Sequence, residues 1–248
     1  MSFIFDFFKK QRADFSEKIH SVYQPIVDIA SWKVIGYEAL ARGEKEMPAE
    51  MFRRSYEKGT VIPFDFHCLE AAVKVLPKLR DGQYLFLNIE PLTLEQAFTH
   101  GKEGEAFLKY LKEYSGKIIF ELTEGVKKSD FEFIRRGVEF IRTVGYRFAL
   151  DDLSDIGTKT SQLASMKPDF FKIDLQLIQG ISKNHVNQQI VREMGHLSRM
   201  SGSEMIAEGI ENKEDLDFIR YLGIRYGQGF YFAKPSKELI FDLTFPAE

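Results

Sequence analysis

Apolar residues along this chain fall into two rhythms. Short dense runs occupy 21–29, 33–40, 84–90, 117–124, 146–152, 170–175, 204–211 and 227–233, and each predicts a strand. Between them lie stretches with helical spacing, at 68–79, 94–114, 131–144 and 182–201. In the last of these Val186, Ile190, Met194 and Leu197 form a stripe, which core packing explains most simply and which a dimer contact would also suit. Strand–helix alternation implies a mainly parallel sheet, because parallel strands need crossover helices. Eight such strands in 248 residues predict an α/β fold, a TIM-like (β/α)8 barrel. The first two runs are separated by only residues 30–32, too short for a crossover. They predict a hairpin, so one strand of the barrel is expected to be antiparallel.

In a parallel barrel, function gathers where the strands end. Those ends carry Glu38, Asn88, Glu121, Asp151 with Asp152, Lys172 with Asp174, Glu208 with Glu211, and Gln228. One polar strand end means little, but convergence from separate strands is harder to attribute to solvation. Glu38, Glu121, Asp151, Asp152, Glu208 and Glu211 make six negative charges; Lys172 and Arg42 return two positive ones, leaving four uncompensated. Taking a carboxylate out of water costs roughly several kcal/mol. The acids must therefore protonate or bind cations. Oxygen ligands favour hard ions such as Mg2+, Mn2+ or Ca2+ over zinc. Adjacent carboxylates suit a two-metal site, in which one acid bridges both ions, and such sites are typical of phosphoryl chemistry. Lys172 would orient a water or neutralise charge; as a salt-bridge partner of the acids it is equally well explained.

Composition narrows the classes. A net charge of −3 gives no broad basic field for a nucleic acid polymer or an anionic membrane. The single cysteine, Cys68, allows no internal disulfide and sits in a helical pattern as core. No apolar run approaches the length of a transmembrane helix, and the N-terminus has no signal-peptide core, so a cytoplasmic location is expected. His20, His67, His100, His185 and His196 show no metal-ligand spacing. Trp32, in the hairpin turn, reads as a surface cover. Residues 1–18 are expected to be a Phe-rich helical extension (Phe3, Phe5, Phe7, Phe8, Phe15) covering the barrel base or trailing it, and 19–248 the barrel. A membrane surface or a regulatory protein partner is the alternative occupant for that extension.

With these residues assembled, the chain resembles the EAL phosphodiesterases of cyclic di-GMP. The resemblance rests on YQPI (23–26), GYEALAR (36–42), NIEP (88–91), ELTEG (121–125), ALDD (149–152), KID (172–174), AEGIE (207–211) and GQGF (227–230), in family order. It implies metal-dependent hydrolysis of cyclic di-GMP to linear pGpG on a TIM-like barrel. It further implies metal ligation by Glu38, Asn88, Glu121, Asp151 and Asp152, with Asp151 bridging two Mg2+ or Mn2+ ions and Ca2+ inhibitory. Lys172 and Glu208 would contact the attacking water. Gln24 and Arg42 would contact substrate, Gln228 would support the water network, and Glu124 and Glu211 would brace the loop after Asp152. A homodimer is also implied. That loop departs from the family: Leu153, Ser154, Asp155 and Ile156 stand where Phe-Gly-Thr-Gly is usual. A second reading therefore stays open, a weak or inactive member that acts as a cyclic di-GMP receptor or a protein-interaction module.

Overall fold

The computed structural model describes residues 18–97, 101–123, 131–154, 162 and 164–243. Eight strands close into one barrel in chain order. They are β1 (Ile19–Asp28), β2 (Lys33–Gly43), β3 (Tyr84–Asn88), β4 (Ile118–Thr123), β5 (Arg147–Leu153), β6 (Phe170–Ile173), β7 (Glu204–Ala207) and β8 (Tyr226–Gly227). β1 runs antiparallel to both β2 and β8, and every other neighbouring pair is parallel. The expected hairpin is therefore present. Its turn is covered by Trp32, whose ring packs on Phe232 and beneath the Arg220 guanidinium.

Because β1 is reversed, Ile19 pairs with Gly43 at the mouth of the barrel, where the parallel strands end. The described chain thus begins at the mouth side and not at the base. Residues 1–17, with the extension and partner docking expected of them, lie outside the described residues, as does His100.

The helices are α1 (Pro48–Glu57), α2 (Val61–Ala72), α3 (Lys102–Tyr110), α4 (Phe131–Thr143), α5 (Leu175–Ile178), α6 (His185–Ser201) and α7 (Lys213–Tyr221). Two differ from the sequence pattern. The helix expected at 68–79 begins earlier, at Val61, and tightens after Ala72 into a 3-10 segment containing Pro77, which has no N–H to continue an α-helix. The one expected at 94–114 divides into a π-turn at Thr93–Ala97, then α3, then a 3-10 segment at Lys112–Lys117; extended Gly101 opens α3. In α6 the buried face is Gln188, Val191, Met194, Gly195 and Ser198, so the apolar stripe is only partly core: Met194 is buried, whereas Val186 is 68% exposed. Periodicity gave the helix correctly and rotated its inner face.

Inside the barrel, Ile26, Phe86, Ile119, Ala149, Phe170, Ile206 and Tyr226 form a separate buried cluster. Phe170 packs edge-on against Phe86 and Tyr226 at 5.4 and 5.9 Å between centroids. Side chains alternate along a strand, so the next inward position lies two residues away. Counting two residues towards the mouth gives Gln24, Asn88, Glu121, Asp151, Lys172, Glu208 and Gln228. The apolar layer is thus a floor and the polar residues lie directly above it.

The expected strands at 204–211 and 227–233 are cut short. After Ala207 the chain turns at Gly209, which has φ +70°. Residues beyond both strands then bond to each other, Ile210 N–H to Gln228 O and Tyr231 N–H to Ile210 O. A Cβ on Gly209 would stand 2.5 Å from Leu175 Cβ. Gly209→Ala therefore combines a left-handed backbone with a clash, and we expect it to lower stability by about 2–3 kcal/mol, measured by chemical denaturation.

Candidate metal and active site

Lys172 is the centre of the mouth. It has no solvent exposure, and its Nζ lies 2.8 Å from Glu121, 2.9 Å from Glu208, 3.1 Å from Asp151 and 3.2 Å from Glu38. None of these contacts has hydrogen-bond alignment at Nζ; three ammonium hydrogens do not satisfy four carboxylates. Glu38 is the most tightly oriented acid. Asn88 Nδ2 donates to its Oε1 at 3.0 Å and Gln228 Nε2 donates to its Oε2 at 2.7 Å. Gln228 also donates to Gln24 Oε1, and Gln24 Nε2 donates to the Ala233 carbonyl. Gln24 sits opposite Glu38 in the β1–β2 register, so the hairpin itself brings the two together.

Strict alternation would send Asp152 to the outer face of β5, away from Asp151. A β-bulge prevents this. Leu150 pairs with Phe171 and Leu153 with Ile173, so β5 spends three steps where β6 spends two. Asp152 takes the extra position with φ +56°. Asp151 is buried, Asp152 is exposed, and Leu153 returns to the core. As a result Asp151, Asp152 and Glu208 each present an oxygen within 4.8 Å of the others, and Glu38, Glu121 and Asp151 do the same. Asp151 belongs to both groups.

The electrostatics follow from burial. Burial raises the Glu121 and Glu208 carboxyls well above the usual range, although Lys172 opposes it. Burial likewise raises Asp151, and it raises Asp152 to about 6 with the help of the Asp151 charge. For Glu38 burial is outweighed by Lys172, Gln228 and Asn88, which hold it below the usual range. Burial would lower the Lys172 ammonium, but Asp151, Glu121, Glu208 and Glu38 raise it well above its ordinary value. With Asp152, five carboxylates face one ammonium; fully ionised they would exceed it by four negative charges, the charge of two divalent cations. Glu121 Oε1 and Asp151 Oδ1 are buried with the Lys172 ammonium beside them, and Glu121 Oε2 is buried without a hydrogen bond. This donor set, all oxygen and short of partners, fits a hard divalent cation.

The other expected residues fall in different places. Arg42 donates to the Ala41 carbonyl and lines, with Asn88, Phe52, Asp65 and Glu90, a cavity of about 210 Å3 beside the acidic cluster. Glu211 stands outside the cluster, exposed, and accepts from Gln179 at 3.2 Å. It does not add to the mouth charge as the sequence count assumed. Asp174 caps α5 by accepting from Gln176 N–H. Glu124 and the loop positions Asp155 and Ile156 lie outside the described residues. Asp65 had not been singled out. It is buried in the cavity wall, accepts the Glu90 N–H, and is raised to about 7, chiefly by burial. The signal was present: Asp65, like Glu70, is an acid within the mostly apolar VIPFDFHCLEAA of α2.

A match to the EAL domain family spans residues 10–235, and the chain belongs to that family. The uncharacterised EAL-domain protein YkuI of Bacillus subtilis is 25% identical over 229 residues, which is 88% of this chain and 55% of that protein. The cyclic di-GMP phosphodiesterase PdeF of Escherichia coli is 30% identical over 150 residues, 60% of this chain and 20% of that protein. The chain thus spans about half or less of the length of these curated relatives. Among solved structures, a standalone versatile EAL protein from Vibrio cholerae O395, in its c-di-GMP bound form, superposes with a TM-score of 0.80 at 27% identity, covering 92% of this chain and 97% of that one. BlrP1 of Klebsiella pneumoniae, in a manganese/cy-diGMP complex, gives 0.76 at 26% identity, over 89% and 56% of the two chains. Among the described residues no helix is long and apolar enough to cross a membrane.

Two outcomes are expected. Replacing Lys172 with Met leaves buried acids without their counter-charge, a loss of about 3–5 kcal/mol at pH 8 in chelator. Glu121, Glu208 and Asp151 have raised native carboxyls, so at these groups the folded state binds more protons than the unfolded one and their contribution to stability falls as pH rises. Denaturation of Lys172→Met should accordingly show a smaller deficit at pH 5 than at pH 8. Asp65 obeys the same sign: its cost grows as pH rises from its unfolded value, near 3.8, through about 7. Asp65→Asn should stabilise the protein by on the order of 1–2 kcal/mol at pH 8 and by less at pH 5, read by thermal melting.

Proposed function

We propose that this chain hydrolyses one phosphodiester of cyclic di-GMP, giving linear pGpG, with Mg2+ or Mn2+ at the acidic mouth. The observation that carries this reading is that Asp151 takes part in both carboxylate groups, the arrangement a bridging ligand requires. Glu38, Asn88, Glu121 and Asp151 would hold one ion; Asp151 and Asp152 would hold the second. When bound, such a pair supplies an acidified water and stabilises the attacking and leaving oxygens.

The chain's own groups account for the rest. Gln228 and Asn88 fix both oxygens of Glu38, so that ligand is oriented before a cation arrives. Lys172 holds positive charge beside the reacting phosphate, where negative charge grows. Glu208, its carboxyl raised by burial, groups with Asp151 and Asp152 and would take the proton of the attacking water. Arg42, on the wall of the neighbouring cavity, offers a guanidinium to a substrate phosphate, and Gln24 offers an amide. Ca2+, which prefers more ligands and looser geometry, would occupy the site without supporting turnover. A cytoplasmic location and a homodimer belong to the same proposal. The latter is motivated by Leu175 and Val186, both exposed on the neighbouring α5 and α6.

The receptor reading is motivated by one feature, that Ser154 and Ile156 stand where the family usually has the two glycines of the loop after the aspartate pair. Chromatographic detection of pGpG decides between the two. We expect product with Mg2+ or Mn2+, and a loss of at least about 100-fold in Glu38→Ala. If neither protein makes product while both bind the nucleotide equally, the receptor reading takes its place.

A further inference from the structure

At the opposite end of the barrel from the acidic mouth, a recess of about 280 Å3 opens between α6, the start of β7 and the segment leading into β8. Its floor is buried: Val191, Gly195, Ser198, Met205 and Ile224. Its rim is basic. Arg192, His196 and Arg199 recur along one face of α6 at i, i+4 and i+7, and Arg225 faces them from the β8 side. Glu204 is the one acid lining it.

The arginines are not equivalent. Arg225 is already committed, 2.8 Å from Asp28 and stacked on Tyr226. Arg192 and Arg199 have no carboxylate within ion-pair distance among the described residues. Arg199 Nη2 lies 3.1 Å from His196 Nδ1, and a guanidinium only donates, so the contact positions Arg199 over the recess and leaves its charge uncompensated. A Cβ at Gly195 would come to 3.4 Å from Arg199 Nη1 and 3.8 Å from Met205 Sδ, so the guanidinium lies against this small residue and only a longer side chain there would fill the recess. The Ser198 hydroxyl is engaged by the Ser203 carbonyl, so recognition falls to the guanidinium groups.

We propose that this recess binds the phosphate or diphosphate group of a small phosphorylated metabolite, at a second site remote from the acidic mouth. Planar guanidinium forks match phosphate oxygens in pairs. The volume admits such a group, and Met205, Leu222 and Ile224 give its organic body an apolar wall. The site does not depend on the activity proposed above.

Calorimetric titration of the full chain with pyrophosphate, in chelator so that the acidic mouth holds no divalent ion, tests the assignment. Saturable binding is expected, weakened at least tenfold in Arg192→Gln/Arg199→Gln and in Gly195→Leu, and unchanged in Glu38→Ala. Arg192 and Arg199 are exposed and carry no ion pair, so the arginine variant should keep the native melting temperature; Arg192→Gln alone serves if it does not. Citrate should bind at least tenfold more weakly than pyrophosphate. Absence of saturable binding at millimolar pyrophosphate, retention of binding by the arginine variant, or equal binding of citrate would each overturn the proposal.

Discussion

The fold places a lysine with no solvent exposure among four carboxylates on top of an apolar floor, and the rest of the mouth follows from that arrangement. Phe170 and its neighbours beneath exclude water from below, so each charge above them interacts in a medium of low polarizability. One ammonium offsets one negative charge. Burial first, and the uncompensated neighbouring charge second, makes the remaining acids hold protons more tightly, so Glu121, Glu208, Asp151 and Asp152 all shift upward. Such a cluster is a poor way to stabilise a fold, because desolvation offsets most of the ion-pair attraction. It is a good way to bind small, highly charged cations, since proton release and cation entry use the same oxygens.

The shape of the cluster comes from two local devices. The hairpin reverses β1, so Gln24 lies across from Glu38 and, with Gln228, aligns its carboxylate. The bulge in β5 rotates Asp152 back beside Asp151 and Glu208 and returns Leu153 to the core. Both are backbone features, and both cost conformational strain or pairing that an ordinary barrel strand would keep. The left-handed Asp152 is the clearest instance, an acid held in a conformation usually left to glycine.

The two ends of the barrel have opposite character. The mouth concentrates carboxylates, whereas the recess at the base presents Arg192 and Arg199 of α6, which have no ion pair among the described residues. The outer helices also shape these surfaces. The inner face of α6 is small at Gly195 and Ser198, and both line the basic recess at its C-terminal half.

Much of this was legible in the sequence. Eight apolar runs, helical stretches between them and a three-residue link fixed the barrel and its antiparallel strand, since periodicity and loop length are local properties. The strand ends named Glu38, Asn88, Glu121, Asp151, Lys172, Glu208 and Gln228, because alternation fixes which residues share the inward face, while Asp152 was named only as the neighbour of Asp151 and owes its place to the bulge. Three-dimensional packing decided the rest. It removed Glu211 from the cluster by a turn at Gly209, added Asp65 through the burial of α2 on nearly every side, and rotated the core face of α6 away from Val186. These outcomes depend on which surfaces meet across distant parts of the chain, and no local pattern of residues encodes that.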